Sequence, residues 1–80
     1  MNISFSKQAI KTINSMDSST KSRIKVAIDK LPSGDTKQIQ REKIITNRLR
    51  VGGWRVLYTF DGDNLVIEKI GPRGQVYKGV

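Results

Sequence analysis

Three arginines, Arg48, Arg50 and Arg55, lie close together on either side of a Gly52-Gly53 pair, and Arg73 follows with Tyr77 four residues beyond it. A guanidinium stays charged at every accessible pH and presents a rigid fork of donors that matches two phosphate oxygens. The chemistry that the clustered arginines point to is the binding of phosphate groups. The chain has no histidine and no cysteine. The usual zinc ligands and the usual neutral-pH base are therefore missing, and neither a metal nor a cofactor is expected. Any catalysis falls to Lys, Arg, Tyr, Asp or Glu. The difficult role is the base, because arginine stays protonated and an ordinary tyrosine ionises near pH 10.

The charge balance points the same way. Fifteen Lys and Arg against seven Asp and Glu leave +8 on 80 residues. Such a charge repels itself unless an anion balances it, and the usual anions are nucleic acid, a membrane surface or an acidic protein. Seven of nine lysines fall by residue 43, whereas five of six arginines lie between residues 41 and 73. Lysine commonly solvates helix surfaces, so the second half is the better place for a functional surface. No stretch approaches the roughly 20 apolar residues that span a bilayer, and the N-terminal residues lack the apolar run of a signal peptide. A single domain over residues 1–80, soluble and cytoplasmic, is the expectation.

The elements that must position these residues can be read from periodicity. A short strand (Asn2 to Phe5) precedes Ser6, a plausible N-cap, and Ala9, Ile10, Ile13 and Met16 follow at helical spacing. Asp17, Ser18 and Ser19 can cap a second helix whose stripe is Ile24, Ala27, Ile28 and Leu31, stopped by Pro32-Ser33-Gly34. From residue 44 the period changes to alternation. Leu49 and Val51 alternate with Arg48 and Arg50, and Gly52-Gly53 supplies a two-residue hairpin turn. Trp54, Val56, Tyr58 and Phe60 then form the return strand. Asp61 to Asn64 is a second turn, Leu65 to Ile70 a central strand broken by Gly71-Pro72, and Gln75 to Tyr77 a short last strand. The fold class is α+β: a two-helix hairpin packed on a twisted antiparallel sheet of about four strands.

The turn fixes the register. Val51 lies opposite Trp54, Arg50 opposite Arg55, Leu49 opposite Val56 and Arg48 opposite Leu57. Opposed residues share a sheet face, so Leu49, Val51, Trp54 and Val56 are core and Arg48, Arg50 and Arg55 share the other face. Trp54 and Tyr58 read as core, whereas Tyr77 could serve function or cap a sheet edge. Like charges placed opposite one another are destabilising, and nothing in folding asks for them. The plainer reading pairs these arginines with Glu68 or Glu42 on a solvated face. A polyanion lying across the face would neutralise all three.

The segment Leu49-Arg50-Val51-Gly52-Gly53-Trp54-Arg55-Val56-Leu57-Tyr58 resembles the hairpin of the RelE/ParE toxin family. The ending Ile70-Gly71-Pro72-Arg73-Gly74-Gln75-Val76-Tyr77 resembles that family's close. The resemblance implies the toxin of a type II toxin–antitoxin system. RelE-like members are ribosome-dependent endoribonucleases that cut mRNA without metal, by attack of the ribose 2′-OH on the adjacent phosphodiester. By position, Arg55 resembles the arginine that holds the scissile phosphate, Arg73 the one that stabilises developing charge, and Tyr77 the C-terminal tyrosine that stacks on a base or takes part in proton transfer. In-line phosphoryl transfer depends largely on positioning and charge neutralisation, which arginines can supply. Arg48 and Arg50 stand where the family lines its RNA groove. The resemblance also implies an antitoxin partner, and the charge of this chain implies that the antitoxin is acidic, so a hetero-oligomer is expected beside mRNA and the ribosome. Three positions depart from the pattern: Pro72 for a histidine, Thr46 for a lysine and Trp54 for a tyrosine. Two other readings share the fold, a ParE-like inhibitor that binds DNA gyrase and a catalytically weak relative that binds antitoxin or RNA.

Overall fold

The computed structural model describes residues 2–31, 33–41 and 44–72. Their order is β1 (Asn2–Phe5), α1 (Lys7–Asn14), α2 (Ser18–Asp29), β2 (Thr36–Arg41), β3 (Ile44–Val51), β4 (Trp54–Asp61) and β5 (Asn64–Pro72). The five strands form one sheet in the order β1-β5-β4-β3-β2, with β1 parallel to β5 and the remaining pairs antiparallel.

Both helices start where a side chain can replace a missing backbone acceptor. The Ser6 hydroxyl accepts from the Ala9 amide at 3.1 Å, and the Asp17 carboxylate accepts from the amide and the hydroxyl of Thr20 at 3.2 and 2.6 Å. Those bonds hold the Asp17 carboxyl below its ordinary range. Ala9 and Ile13 of α1 and Ile24 and Ile28 of α2 point into the sheet. There they meet Leu49, Val56, Tyr58, Leu65, Ile67 and Ile70, each at most 3% exposed. Ile10, at helical spacing with this stripe, is instead 47% exposed. Ala9, Ile13 and Met16 already span the face that meets the sheet, and Ile10 lies about 100° round the helix from Ala9.

α1 also closes an edge. β1 covers β5 only as far as the Phe5–Ile67 pair. Beyond it, the Ser6 hydroxyl donates to the Glu68 carbonyl at 2.6 Å, and the Gln8 amide exchanges bonds with the Ile70 backbone at 3.2 and 3.4 Å. These side chains occupy backbone groups that would otherwise be open for another strand to pair with.

The α+β class stands, with three differences from the sequence reading. Thr36–Arg41 is a strand that apolar alternation does not reveal; it is a polar strand that pairs, among the described residues, with β3 alone. The sheet is mixed, because β1 runs parallel to a strand some sixty residues further along the chain. Gly71 and Pro72 do not break β5 but continue it, opposite Arg55 and Trp54. A strand end with β1 no longer alongside tolerates a residue that lacks an N–H. The expected strand at Gln75 to Tyr77 lies outside the described residues. No helix among the described residues is long and apolar enough to cross a membrane.

Candidate nucleic-acid interface

The β3–β4 hairpin has the register that its two-residue turn dictates, with Val51 opposite Trp54, Arg50 opposite Arg55, Leu49 opposite Val56 and Arg48 opposite Leu57. Gly52 makes the turn possible at φ +59°, a backbone conformation that residues with a Cβ rarely adopt. Above it lies the Arg23 guanidinium of α2, which a Cβ on Gly52 would approach to 2.9 Å. Leu49 and Val56 face the helices, with Val51 and Trp54 packed against the same core. Tyr58 is also in this core, 3% exposed; burial pushes its hydroxyl pKa up, and a hydrogen bond with Thr36 opposes the shift.

Arg48, Arg50 and Arg55 lie on the face turned away from the helices. The flanking strands extend it. Lys37 is opposite Arg48, and Lys69 is opposite Leu57, so one row across the sheet reads Lys37, Arg48, Leu57, Lys69. The neighbouring row runs Arg50, Arg55, Gly71. Five cations thus stand on two adjacent rows around a buried leucine. Thr46 lies two residues from Arg48 on the same face and is 7% exposed.

The three arginines are held differently. Arg55 is 8% exposed, and its Nη1 donates to the carbonyls of Gly52 and Trp54, both at 3.0 Å, which ties it to the turn. Arg50 extends toward solvent, and its Nε donates to Oδ2 of Asp35 at 2.5 Å. Arg48 is largely buried, and its Nη2 lies 3.6 Å from Oδ1 of the same carboxylate. The Arg48 Nε is buried and finds no acceptor among the described residues. A buried donor left unpaired is costly. The acid expected to pair with these arginines was Glu68 or Glu42. Glu68 instead accepts from Thr59 at 3.0 Å, and Glu42 lies outside the described residues.

Asp35 gave no signal in the sequence, since it sits in an aperiodic connection. Only the β2–β3 pairing brings it opposite Arg50, where its carbonyl accepts from the Arg50 amide at 2.9 Å. On the other side of this junction, a cleft of about 480 Å³ opens between α2 and β3. Val26, Ala27, Leu49 and Val51 line it, and Arg23 and Lys30 join Arg50 and its partner Asp35 there. The structure therefore unites Arg48, Arg50 and Arg55, while Arg73 and Tyr77 lie outside the described residues.

Similarity to solved structures is at the level of fold. A chain in the crystal structure of the archaeal RelE-RelB complex from Pyrococcus horikoshii OT3 superposes with a TM-score of 0.74 at 21% identity, covering 92% of this chain and 96% of that one. The RelB-RelE antitoxin-toxin complex from Methanococcus jannaschii gives 0.74 at 22% identity, with 92% and 94% covered. The intact E. coli RelBE toxin-antitoxin complex gives 0.60 at 15% identity, with 89% and 94% covered. No protein-family model matches the chain, and no curated protein matches it in sequence.

Proposed function

We propose that this chain is the toxin of a toxin–antitoxin pair, and that it cuts mRNA on the ribosome with the arginine face of its sheet. The observation that carries this reading is the convergence of Arg48, Arg50 and Arg55 on a sheet face that neither α1 nor α2 covers. The fold shared with chains of RelE-RelB complexes supports the toxin assignment over a generic RNA-binding domain.

In the proposed reaction the ribose 2′-oxygen attacks the adjacent phosphorus and the bond to the 5′-oxygen breaks. The products are a 2′,3′-cyclic phosphate and a 5′-hydroxyl. Arg48 and Arg50 bind backbone phosphates and set the register of the strand. Arg55 neutralises the scissile phosphate, and its bonds to the turn carbonyls pre-organise it for that task. Arg73 stabilises charge developing on the phosphoryl oxygens, and Tyr77 stacks on a base or carries a proton. Guanidinium groups held in place need no reorganisation as charge builds, which favours this use of a sheet-borne arginine cluster.

The antitoxin partner is acidic. The cleft between α2 and β3 combines an apolar floor with Arg23, Lys30 and Arg50 against the single carboxylate of Asp35, and this excess of positive charge suits an apolar side chain of the partner flanked by carboxylates. The test is to express the chain and map mRNA ends with and without ribosomes. Ribosome-dependent cuts ending in cyclic phosphate support the reading; DNA breaks with intact mRNA select a gyrase-directed toxin instead.

A further inference from the structure

The carboxylate of Asp35 bridges two guanidiniums, with one oxygen on Arg50 Nε and the other 3.6 Å from Arg48 Nη2. A phosphodiester has two non-bridging oxygens, and a phosphate set between these arginines would make the same pair of contacts. We propose that Asp35 is an internal counter-anion that occupies a phosphate position on the arginine face, and that RNA binds there by displacing it. This rests on the reading that the arginine face binds RNA.

The backbone fixes Asp35 in place while its side chain can leave. The Arg50 amide donates to the Asp35 carbonyl, and the Thr36 amide turns back to the Gly34 carbonyl at 3.0 Å. Gly34, at φ +117°, lets the chain enter β2 in that geometry. The side chains of Asp35 and Arg50 are 47% and 51% exposed. An ion pair so open to water is weak and is screened by salt, so a polyanion can replace it. Before RNA arrives, the same carboxylate offsets the repulsion among three clustered arginines. Asp35 thereby supports the unbound fold and lowers affinity for RNA. Discrimination follows from valence: one free anion gains little by displacing a tethered carboxylate, whereas a strand that also reaches Arg55 and Lys37 gains several contacts at once.

The test measures binding of an oligouridylate to the full chain at low salt. Asp35→Asn keeps the shape and the backbone bonds, and Asp61→Asn makes the same charge change at the far end of β4. Asp35→Asn should tighten binding by about two- to fivefold, the range an exposed ion pair is worth, and Asp61→Asn by clearly less. In an Arg48→Ala/Arg50→Ala background the effect of Asp35→Asn should vanish. Equal effects of the two Asn variants, or an effect that persists without the arginines, overturns the proposal. If Arg48→Ala/Arg50→Ala alone leaves affinity unchanged, the RNA reading of the face itself has failed. A readout on the unaltered chain guards against misfolded variants: the Arg50 Nε resonance should shift as its acceptor changes from carboxylate to phosphate. A resonance unmoved at saturation contradicts displacement. Tighter binding of Asp35→Asn to an acidic peptide but not to oligouridylate would assign the pair to a protein interface and overturn the proposal.

Discussion

Arg50 and Arg55 face each other directly across the β3–β4 hairpin, two like charges in the same cross-strand pair. The two are kept apart in role: Arg55 folds back onto the turn carbonyls, and Arg50 reaches outward to Asp35. A directly opposed like-charge pair costs stability, by an amount within the roughly 0.2–1 kcal/mol range of cross-strand interactions. Its persistence is understandable if an anion joins the two.

Removing the arginines should therefore change how binding responds to salt. For a single strand, each neutralised phosphate contributes about 0.7 to the log–log slope. The Arg48→Ala/Arg50→Ala chain should lose roughly 1.4 from its slope for oligouridylate, measured by fluorescence anisotropy across a salt series. A fold-intact variant with an unchanged slope would remove the face from RNA binding.

Arg55 should be separable from Arg73 by stability. Both Arg55→Ala and Arg73→Ala should slow cleavage by about 10²- to 10³-fold, with a smaller loss for Tyr77→Phe. Arg55→Ala should also melt earlier, by the equivalent of roughly 1–3 kcal/mol, because it deletes two charge-assisted bonds to the turn. A wild-type melting curve for Arg55→Ala would contradict the bonding described for it.

Much of this site was legible in the sequence because a two-residue turn leaves no freedom of register. Once Gly52-Gly53 is placed, alternation alone puts Arg48, Arg50 and Arg55 on one face and Leu49 and Val56 on the other. The helical hairpin was legible for a similar reason, since Ile24, Ile28 and Leu31 repeat at helical spacing and all three are buried. The β2 strand was not, because Thr36–Arg41 is nearly all polar and, among the described residues, pairs on one side only. Asp35 escaped for the same reason, as its contact with Arg50 exists only through that pairing. The direction of β1 depends on β5, a partner so remote that local pattern carries no information about it.

The turn itself can be tested. Gly52→Ala forces a Cβ into a positive-φ position, at a cost of about 1–2 kcal/mol. The approach to Arg23 adds little, because a guanidinium at the end of a long side chain can move aside. Gly53→Ala, with nothing within 4 Å of the added Cβ, should cost less in the same melting experiment.

Tyr58 predicts a difference at high pH. Its folded pKa is raised above 10.0 by burial, so the stability it confers is complete below the unfolded value and is lost as pH rises through the folded one. Tyr58→Phe should flatten that part of the alkaline decline in melting temperature. In ultraviolet titration, Tyr58 should ionise later than a free tyrosine. Ionisation at or below pH 10 would contradict its burial against the core.

The most direct measurement is primer extension on mRNA translated in a purified system, with the unaltered chain and with Arg73→Ala, followed by analysis of the product ends. Cuts in ribosome-bound message ending in a 2′,3′-cyclic phosphate are expected, greatly reduced in the variant and suppressed by an acidic partner protein. Intact message at a chain concentration that arrests growth, or cuts that the variant makes at the wild-type rate, would contradict this expectation.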